Sequence, residues 1–548
     1  MTFLTTLLRP AARIAGMHAA HQLRQFLRAH EHGQAYQDAL LLQLVRRHTD
    51  TRFGRDHALA GVRNYEDFRK AVPLGNYDTL QPYLKAVYEG DTSAMFPPGC
   101  EVLMFALTSG TTGEPKRIPV TRQALADYRR GWNVFGLQVL IDHPDAWLRK
   151  IIQISSPQAE SYSPTGLPCG AISGMLAATQ KRIVRSMYVV GPEVMALHAA
   201  VKHYTILRRA MPEDVGIVST ANPSTIVQLF TTAQQYAEPL LRDLRDGTYT
   251  PPGEVPPDLA SRLRLRKHPE LVRRIEAGMA RDGGTLLCRH FWKLSILTHW
   301  TGGTLGLYLP QVRRLTDNVP IRNIGLLASE GRFSVPLHDE TPEGVADITS
   351  AFLEFIPAEE IDSPQPTVLR SHQLEVGQEY FLVLTNFSGL WRYNINDRIR
   401  VTGRLGQSPV FAFLSKGAHT ANLTGEKITE HQVVQAVRES SERLGFSVQR
   451  FLAQAHFDRL PYYSLTVESD TEGPSALAPA VDAALQELNT EYASKRTSGR
   501  LGPIRLTWAS REIFSRREGE ILRHRQGRTE QYKHQYLLTD ILNDAPAE

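Results

Sequence analysis

Leu107-Thr108-Ser109-Gly110-Thr111-Thr112-Gly113-Glu114-Pro115-Lys116 is the stretch on which the reading of this chain turns. Apolar residues lead into it (Val102, Leu103, Phe105, Leu107), which predicts a strand feeding the segment. From Thr108 to Gly113 there is no large side chain. Apolar spacing resumes after Pro119, and Thr121 is placed to cap a helix running through Ala124, Leu125 and Tyr128. Glycines let backbone approach an anion closely, and free N–H groups with Ser/Thr hydroxyls can ring phosphate oxygens. Lys116 adds a cation. The spacing is not that of a Walker P-loop, because only Thr111 and Thr112 separate Gly110 from Gly113. On these residues alone, a phosphate site competes with a plain hydroxyl-rich turn between two elements.

The rest of the composition is that of an ordinary globular protein. The chain has 548 residues, which is more than one domain's worth, with 42% hydrophobic and 22% charged. A net charge of +5 is spread thinly, with no basic tail or stripe, so no nucleic-acid partner is expected. The three cysteines, Cys100, Cys169 and Cys288, lie far apart, which argues against a disulfide framework or structural zinc and for a cytoplasmic setting. Met1–Leu8 is apolar before Arg9 and Arg13, the reverse of a secretory signal. An amphipathic first helix is preferred there over a transit peptide. No run reaches the roughly 18–20 apolar residues of a membrane span, and no membrane role is expected.

Residues 1 to about 60 read as helices, with Leu23, Phe26 and Leu27 and then Leu40, Leu41, Leu44 and Val45 at helical spacing. From roughly 125 to 300, helical stretches alternate with short apolar runs such as Ile151–Ile154 and Ile217–Ser219, the grammar of an α/β fold. Arg242–Val272, with four prolines between Pro251 and Pro257, reads as a polar surface excursion. A strand is expected to run from Phe291 into Thr301-Gly302-Gly303. A second, from Ile324, is expected to end at Ala328-Ser329-Glu330-Gly331. A third, Phe381–Thr385, leads through Asn386 to Trp391 and Asp397. In open α/β sheets ligands sit beyond the carboxyl ends of strands, so these ends together suggest one composite site. After about Gly417 the pattern becomes a small α+β region, with strands Phe451–His456 and Tyr462–Glu468 and one long helix over Ala480–Lys495. Cys288-Arg289-His290, taken as a buried cysteine beside a surface histidine, and the pairs His338-Asp339 and His456-Phe457-Asp458 receive no role.

Thr-Ser-Gly-Thr-Thr-Gly-x-Pro-Lys resembles the phosphate loop of the acyl-adenylate-forming superfamily. The order of the other segments resembles one branch of it, the auxin-responsive (GH-three) family of acyl-acid amido synthetases. Val72-Pro73 with Tyr77 is similar to that family's first segment, and Trp292-Lys293 through Thr301-Gly302-Gly303 to its tryptophan-to-Thr-Gly-Ser segment, with Gly303 in place of serine. Ala328-Ser329-Glu330-Gly331 matches the tail of Tyr-x-Ser-Ser-Glu. Trp391-Arg392-Tyr393 to Asp397 resembles Tyr-Arg-Tyr-x-x-Gly-Asp, with Asn396 for glycine. Gly425-Glu426-Lys427-Ile428-Thr429-Glu430 and Glu530-Gln531-Tyr532-Lys533 are further matches. The aromatic that should precede Ala328 falls near Leu326 and is missing. Trp300 or Trp391 would have to flank adenine instead.

The resemblance implies a large N-terminal ATP- and acyl-acid-binding domain, 1–415, with parallel and mixed sheets and helices. It also implies a small mobile α+β lid, 418–548, turning about Lys416-Gly417. It implies ATP and Mg²⁺ as cofactors, a carboxylic acid and an amino acid as substrates, and a monomer. Thr108, Ser109, Gly110, Thr111, Thr112, Gly113 and Lys116 would hold phosphate, with Thr301, Gly302, Gly303, Ala328, Ser329 and Trp391 around the nucleotide. Glu330 would bind Mg²⁺, a hard cation suited to carboxylate and phosphate oxygens. Asp397 would accept from ribose hydroxyls, with pairing to Arg392 or Arg398 as the plain alternative. Lys427 and Lys533 would be the catalytic cations. Trp132, Phe135 and Tyr162 are candidates for the acid pocket. Coenzyme A as acceptor, or a silent nucleotide-binding scaffold, are the competing readings.

Overall fold

The computed structural model describes residues 3–108, 116–156, 158–180, 182–263, 265–417, 420–446, 448, 450–469, 471–510, 512–514, 516 and 536–544. Ser109–Pro115 and Lys533, both prominent in the sequence, lie outside the described residues. Contacts divide the chain into a large unit, Met1–Thr108 with Arg117–Leu414, and a smaller one containing Ser415–Glu548.

The large unit is mixed α/β. A parallel sheet has the order Lys150–Ile154, Val215–Thr220, Ile296–Thr298, Ile321–Arg322. Its central strand is buried at every position, which suits a strand covered on both faces. A second sheet places Val102–Thr108 between Lys116–Thr121 and Pro168–Gly170. A seven-stranded sheet runs Ser334–Val335, Glu343–Ala346, Ser408–Lys416, Tyr393–Leu405, Glu379–Thr385, Phe352–Pro357, Leu369–Arg370. Its long Tyr393–Leu405 strand alternates buried and less buried positions over most of its length, as a sheet with one face on the core requires.

Helix starts follow local chemistry. Thr121 Oγ1 accepts from Ala124 N at 3.1 Å and caps the Arg122–Asp142 helix, as its position predicts. Asn76 caps Tyr77–Tyr88 through Asp78 N and Thr79 N. The Arg242–Val272 stretch is more ordered than a polar excursion. It contains the end of the Ala237–Asp246 helix, the Pro257–Arg262 helix and the start of Pro269–Arg281, and it buries Leu259 and Val272. Three or four apolar side chains at helical spacing suffice to anchor a segment whose composition is otherwise polar.

The smaller unit has a four-stranded sheet ordered Arg505–Ala509, Tyr462–Glu468, Phe451–Phe457, Leu537–Asn543. The single long helix expected over Ala480–Lys495 is two, Leu477–Leu488 and Thr490–Thr497. Asn489 breaks it with extended backbone (φ −142°, ψ 103°), and its side chain accepts from Tyr492 N to cap the second helix. An apolar period carries across such a break, because both helices bury the same face.

Candidate active site

Leu327–Ala328 and Gly331–Arg332 pair antiparallel, Ala328 opposite Gly331, so Ser329 and Glu330 form a two-residue turn. The strand expected from Ile324 is therefore a short hairpin. Trp300 Nε1 donates to Gly325 O at 2.8 Å, and Leu326 O accepts from Phe333 N, so these backbone groups bond locally rather than to a longer ladder.

Several separated stretches converge on this hairpin. Ser329 Oγ donates to Leu107 O at 3.3 Å, which sets the turn beside the strand end that leads into Ser109. Asn386 Nδ2 donates to Glu330 O at 2.7 Å, while its Oδ1 accepts from Ser388 N at 2.9 Å. Tyr128 Oη donates to Ala328 O at 3.3 Å, and Thr121 Oγ1 donates to Phe387 O at 2.9 Å. Glu330 is 5% exposed, yet among the described residues no donor is recorded to its carboxylate. Glu330 lines a small cleft together with Ala124, Tyr128, Arg332, Asn386 and Phe387.

Two more motifs dock beside it. Gly75 N donates to Arg392 O at 3.0 Å and Asn394 N to Gly75 O at 2.7 Å, joining the Val72–Tyr77 segment to Trp391–Asn394. Burial pushes the Tyr393 phenol well above its ordinary pKa, and the charges of Glu330 and Asp397 and the Tyr77 hydroxyl push in the same direction. Glu330, Asp397 and Tyr77 therefore share the surroundings of one hydroxyl. Tyr77 Oη also accepts from Arg117 N at 3.0 Å, just past Lys116. The plain alternative for Asp397 is not what the ion pairs show. Arg392 is paired with Glu354 (2.8 Å) and Arg398 with Glu379 (2.5 Å).

Other residues singled out in the sequence lie elsewhere. Trp391 is 1% exposed, stacked on Phe53 at 5.2 Å with His48 at its edge, so the structure places it in the core rather than beside a nucleotide. Trp300 is partly buried and tied to Gly325 O. Gly302 and Gly303 follow the parallel sheet and pack on the Ser408–Lys416 strand. A Cβ on Gly303, which has φ 58°, would lie 2.6 Å from Leu414 O. The serine of the family pattern would be strained there. Thr301 Oγ1 is buried without a hydrogen-bond partner. Phe135 is buried and Trp132 partly so, both beside Arg332, whereas Tyr162 is 67% exposed.

In the smaller unit, Lys427 adopts φ 50°. Burial raises the Glu491 carboxyl, but Lys495 and then Lys427 outweigh it and hold the group below its ordinary value. Cys288 is buried and its thiol pushed up by burial, which removes it as a nucleophile. His290 is not at the surface: it is 8% exposed, with Nε2 2.6 Å from Asp282 Oδ2. Asn386, Tyr393, Tyr128 and Arg332 were given no role on sequence. Asn386 had a signal, a polar residue closing an apolar strand. The others carry none without the fold.

No described group of three or more His, Cys, Asp or Glu gathers to hold a metal by itself. A single carboxylate such as that of Glu330, without a recorded donor among the described residues, fits Mg²⁺ only if phosphate oxygens complete its shell.

The architecture is that of an acyl acid amido synthetase. The solved GH3.15 acyl acid amido synthetase superposes with a TM-score of 0.63 at 19% identity, covering 92% of this chain and 91% of that one. A second structure of it, in complex with 2,4-DB, gives 0.65 at 19%, covering 96% and 94%. The chain belongs to the GH3 family: its residues 22–321 match the family's N-terminal domain, 344–416 the central domain and 431–541 the C-terminal domain. Among its relatives are jasmonoyl–L-amino acid synthetase JAR6 of Nicotiana attenuata, 22% identical over 87% of this chain and 86% of that one. Another is indole-3-acetic acid-amido synthetase GH3.8 of Oryza sativa subsp. indica, 24% identical over 92% and 88%. No helix among the described residues is long and apolar enough to cross a membrane.

Proposed function

We propose that this chain is an ATP-dependent ligase that joins a carboxylic acid to an amino acid through an acyl-adenylate. A carboxylate oxygen of the acid attacks the α-phosphorus of ATP, forming acyl-AMP as pyrophosphate leaves. The amine then attacks the acyl carbon, AMP leaves, the amine loses a proton and an amide remains. Both first-step reactants are anions, so the site must neutralise charge and hold geometry.

The observation that carries this reading is the nearly buried Glu330, whose carboxylate has no recorded donor among the described residues and which lines a cleft beside the strand end at Leu107–Thr108. Leaving such a carboxylate without a donor costs free energy unless a cation or ligand completes it. In this reading Glu330 holds Mg²⁺, which, when bound with the nucleotide, offsets phosphate charge. Thr108–Gly113 and Lys116 hold phosphate oxygens, and Ser329 ties the hairpin to Leu107. Thr301, with its unpartnered hydroxyl, and Gly302, Gly303 and Ala328 border the nucleotide. Asp397 accepts from ribose. Lys427 and Lys533 supply positive charge to the reaction, a role resting on the family pattern. A cytoplasmic, monomeric enzyme accompanies this reading.

The test is carboxylate-dependent ATP–pyrophosphate exchange with Mg²⁺, over aryl, indolyl and aliphatic acids, without amine. Exchange with any acid is expected. Amino acids or coenzyme A added next identify the acceptor as amide or thioester. ATP binding without exchange across a broad panel would turn the reading towards a silent scaffold.

A further inference from the structure

Arg392 and Asn396 bracket the start of the Tyr393–Leu405 strand, and both have left-handed backbone, with φ 40° and φ 62°. Asparagine tolerates that region, and Asn396 stands where the family pattern has glycine. Arginine does not favour it, so Arg392 keeps this conformation only because its surroundings hold it there. Arg392 is 3% exposed and Glu354 0%. The guanidinium Nε donates to Glu354 Oε1 at 3.1 Å and Oε2 at 3.0 Å, and Nη2 donates to Oε1 at 2.8 Å. Nη1 donates to Val72 O at 3.0 Å, and Tyr65 Oη donates to Glu354 Oε1 at 2.9 Å. The backbone is tied as well. Arg392 N donates to Thr385 Oγ1 at 2.9 Å, and Arg392 O accepts from Gly75 N at 3.0 Å.

This brace crosses three strands, because Glu354 pairs with Val383 and Val383 with Asn394. Just beyond it the ladder changes register. Val383 pairs with Asn394 but Phe381 with Arg398, so Leu382 alone faces Ile395, Asn396 and Asp397. A bulge of this kind re-aims the side chains it carries. Asn394 closes it from within: its Oδ1 accepts from Asn396 N at 2.8 Å, while its own N donates to Gly75 O at 2.7 Å.

The residue this arrangement moves is Asp397, which is 4% exposed. Had the ladder continued from the Val383–Asn394 pair without a break, Asp397 would stand opposite Tyr380. The bulge holds it back level with Leu382, nearer Tyr393 along the sheet. Asp397 and Glu330 both act on the Tyr393 hydroxyl, after the dominant effect of burial, so the bulge delivers Asp397 to the neighbourhood of the Ser329–Glu330 turn.

We propose that Glu354, acting through Arg392, and Asn394 are positioning residues that set Asp397 to accept from the ribose hydroxyls of the nucleotide. The proposal rests on the ligase reading for the nucleotide and for the role of Asp397.

The test is calorimetric titration of the whole chain with ATP and with the dideoxy analogue that lacks both ribose hydroxyls. The ratio of the two affinities isolates the ribose contact, because a loss of folded protein or of phosphate binding affects both nucleotides alike. The wild type should bind ATP about 30-fold more tightly than the analogue, the scale of charge-assisted hydrogen bonds. Asn394→Ala, at a half-buried position, opens the bulge and should bring the ratio to about threefold or less. Asn394→Asp keeps the acceptor for Asn396 N and should keep most of the wild-type ratio. Glu354→Gln leaves the buried guanidinium without its counter-charge and should lower the ratio too. If that variant does not fold, the two Asn394 variants decide. Equal affinity of the wild type for both nucleotides, or a ratio that Asn394→Ala leaves unchanged, overturns the proposal. So does a ratio lost equally in Asn394→Ala and Asn394→Asp. Pyrophosphate exchange separates the two readings. Exchange by an enzyme that does not distinguish the nucleotides keeps the ligase reading and removes this one. Ribose discrimination that depends on Asn394, without exchange for any acid, does the reverse. Binding of neither nucleotide removes both.

Discussion

Glu330 and Glu426 are both nearly inaccessible glutamates in short loops that follow a small residue, and the structure treats them in opposite ways. Glu426, in the smaller unit, is 0% exposed and fully satisfied: Oε1 accepts from Leu423 N at 2.7 Å and from the Tyr463 hydroxyl, and Oε2 from Thr424 N at 2.7 Å and Thr424 Oγ1 at 2.9 Å. Glu330, in the large unit, lines a cleft, and among the described residues it is bonded through its backbone oxygen, by Asn386, with no recorded donor to its carboxylate. One carboxylate is consumed by the fold. The other is held in place through its backbone, with no partner to its charge among the described residues. A buried charge retained without partners is the stronger pointer to chemistry, because folding alone would select against it.

The comparison breaks most sharply on substitution of the two residues. Glu330→Gln keeps the shape and removes the charge. Carboxylate-dependent pyrophosphate exchange should fall by about a thousandfold with little change in melting temperature. A large loss of stability with modest loss of exchange would make Glu330 a structural residue like its counterpart. Glu426→Ala should do the reverse in kind. It strands two buried backbone N–H groups and the Tyr463 hydroxyl, so the smaller unit should lose about 3–5 kcal/mol, read in its denaturant transition.

Much of this contrast was legible in the sequence, and its decisive part was not. The glycine-and-hydroxyl stretch, the cap at Thr121, the strands at Phe381 and Tyr462 and the three converging motifs follow from short-range patterns. So does the choice of Glu330 as a candidate. Whether a carboxylate is satisfied depends on residues that only the fold brings near, such as Tyr463 for Glu426, and periodicity carries no trace of those. Trp391 shows the same limit: an aromatic inside a functional motif read as a ligand platform, while its partners Phe53, His48 and Phe68 make it core. The break at Asn489 was hidden because an apolar face continues across it.

Acid should sharpen the difference between the units. Burial holds His299, the residue before Trp300-Thr301, at about 4, its bond to Trp300 O only partly opposing this. His30 is likewise held at about 4 by burial, against the pull of Asp347. Both belong to the large unit. A histidine whose folded pKa lies below its unfolded value costs nothing above pH 6.5. Below that the unfolded state takes up the proton and the folded state does not, so stability falls until the folded pKa is reached. Each contributes up to about 3 kcal/mol of loss between pH 6.5 and 4. Asp127, raised to about 6 by burial, acts in the other direction over much of the same window. Burial lowers His48, His268 and His372 as well, so the histidines outweigh Asp127 and the large unit should weaken on acidification. Hydrogen exchange followed from pH 7 to 4.5 checks this. Replacement of His299 by Gln should flatten the slope, and an unchanged slope would show that the buried ring is not what the acid titrates.

The smallest expected effect tests whether Glu426 stands alone or as part of a braced corner. Asn489 Nδ2 donates to Glu426 O at 3.0 Å and to Gln432 Oε1 at 3.1 Å, while its Oδ1 caps the Thr490–Thr497 helix at Tyr492 N. Asn489→Ala removes a cap and leaves the Glu426 carbonyl without that donor, worth together about 1–2 kcal/mol. Asn489→Asp keeps the cap but cannot donate, so it should recover about half of the loss. If Glu426 and Asn489 act through one corner, the double variant Glu426→Ala, Asn489→Ala should cost less than the two single losses added, because the second substitution removes a brace from a loop already released. Additive losses would mean that the bonds of the carboxylate and those of the asparagine are independent supports. The difference between the two glutamates would then rest on the carboxylate's own partners alone.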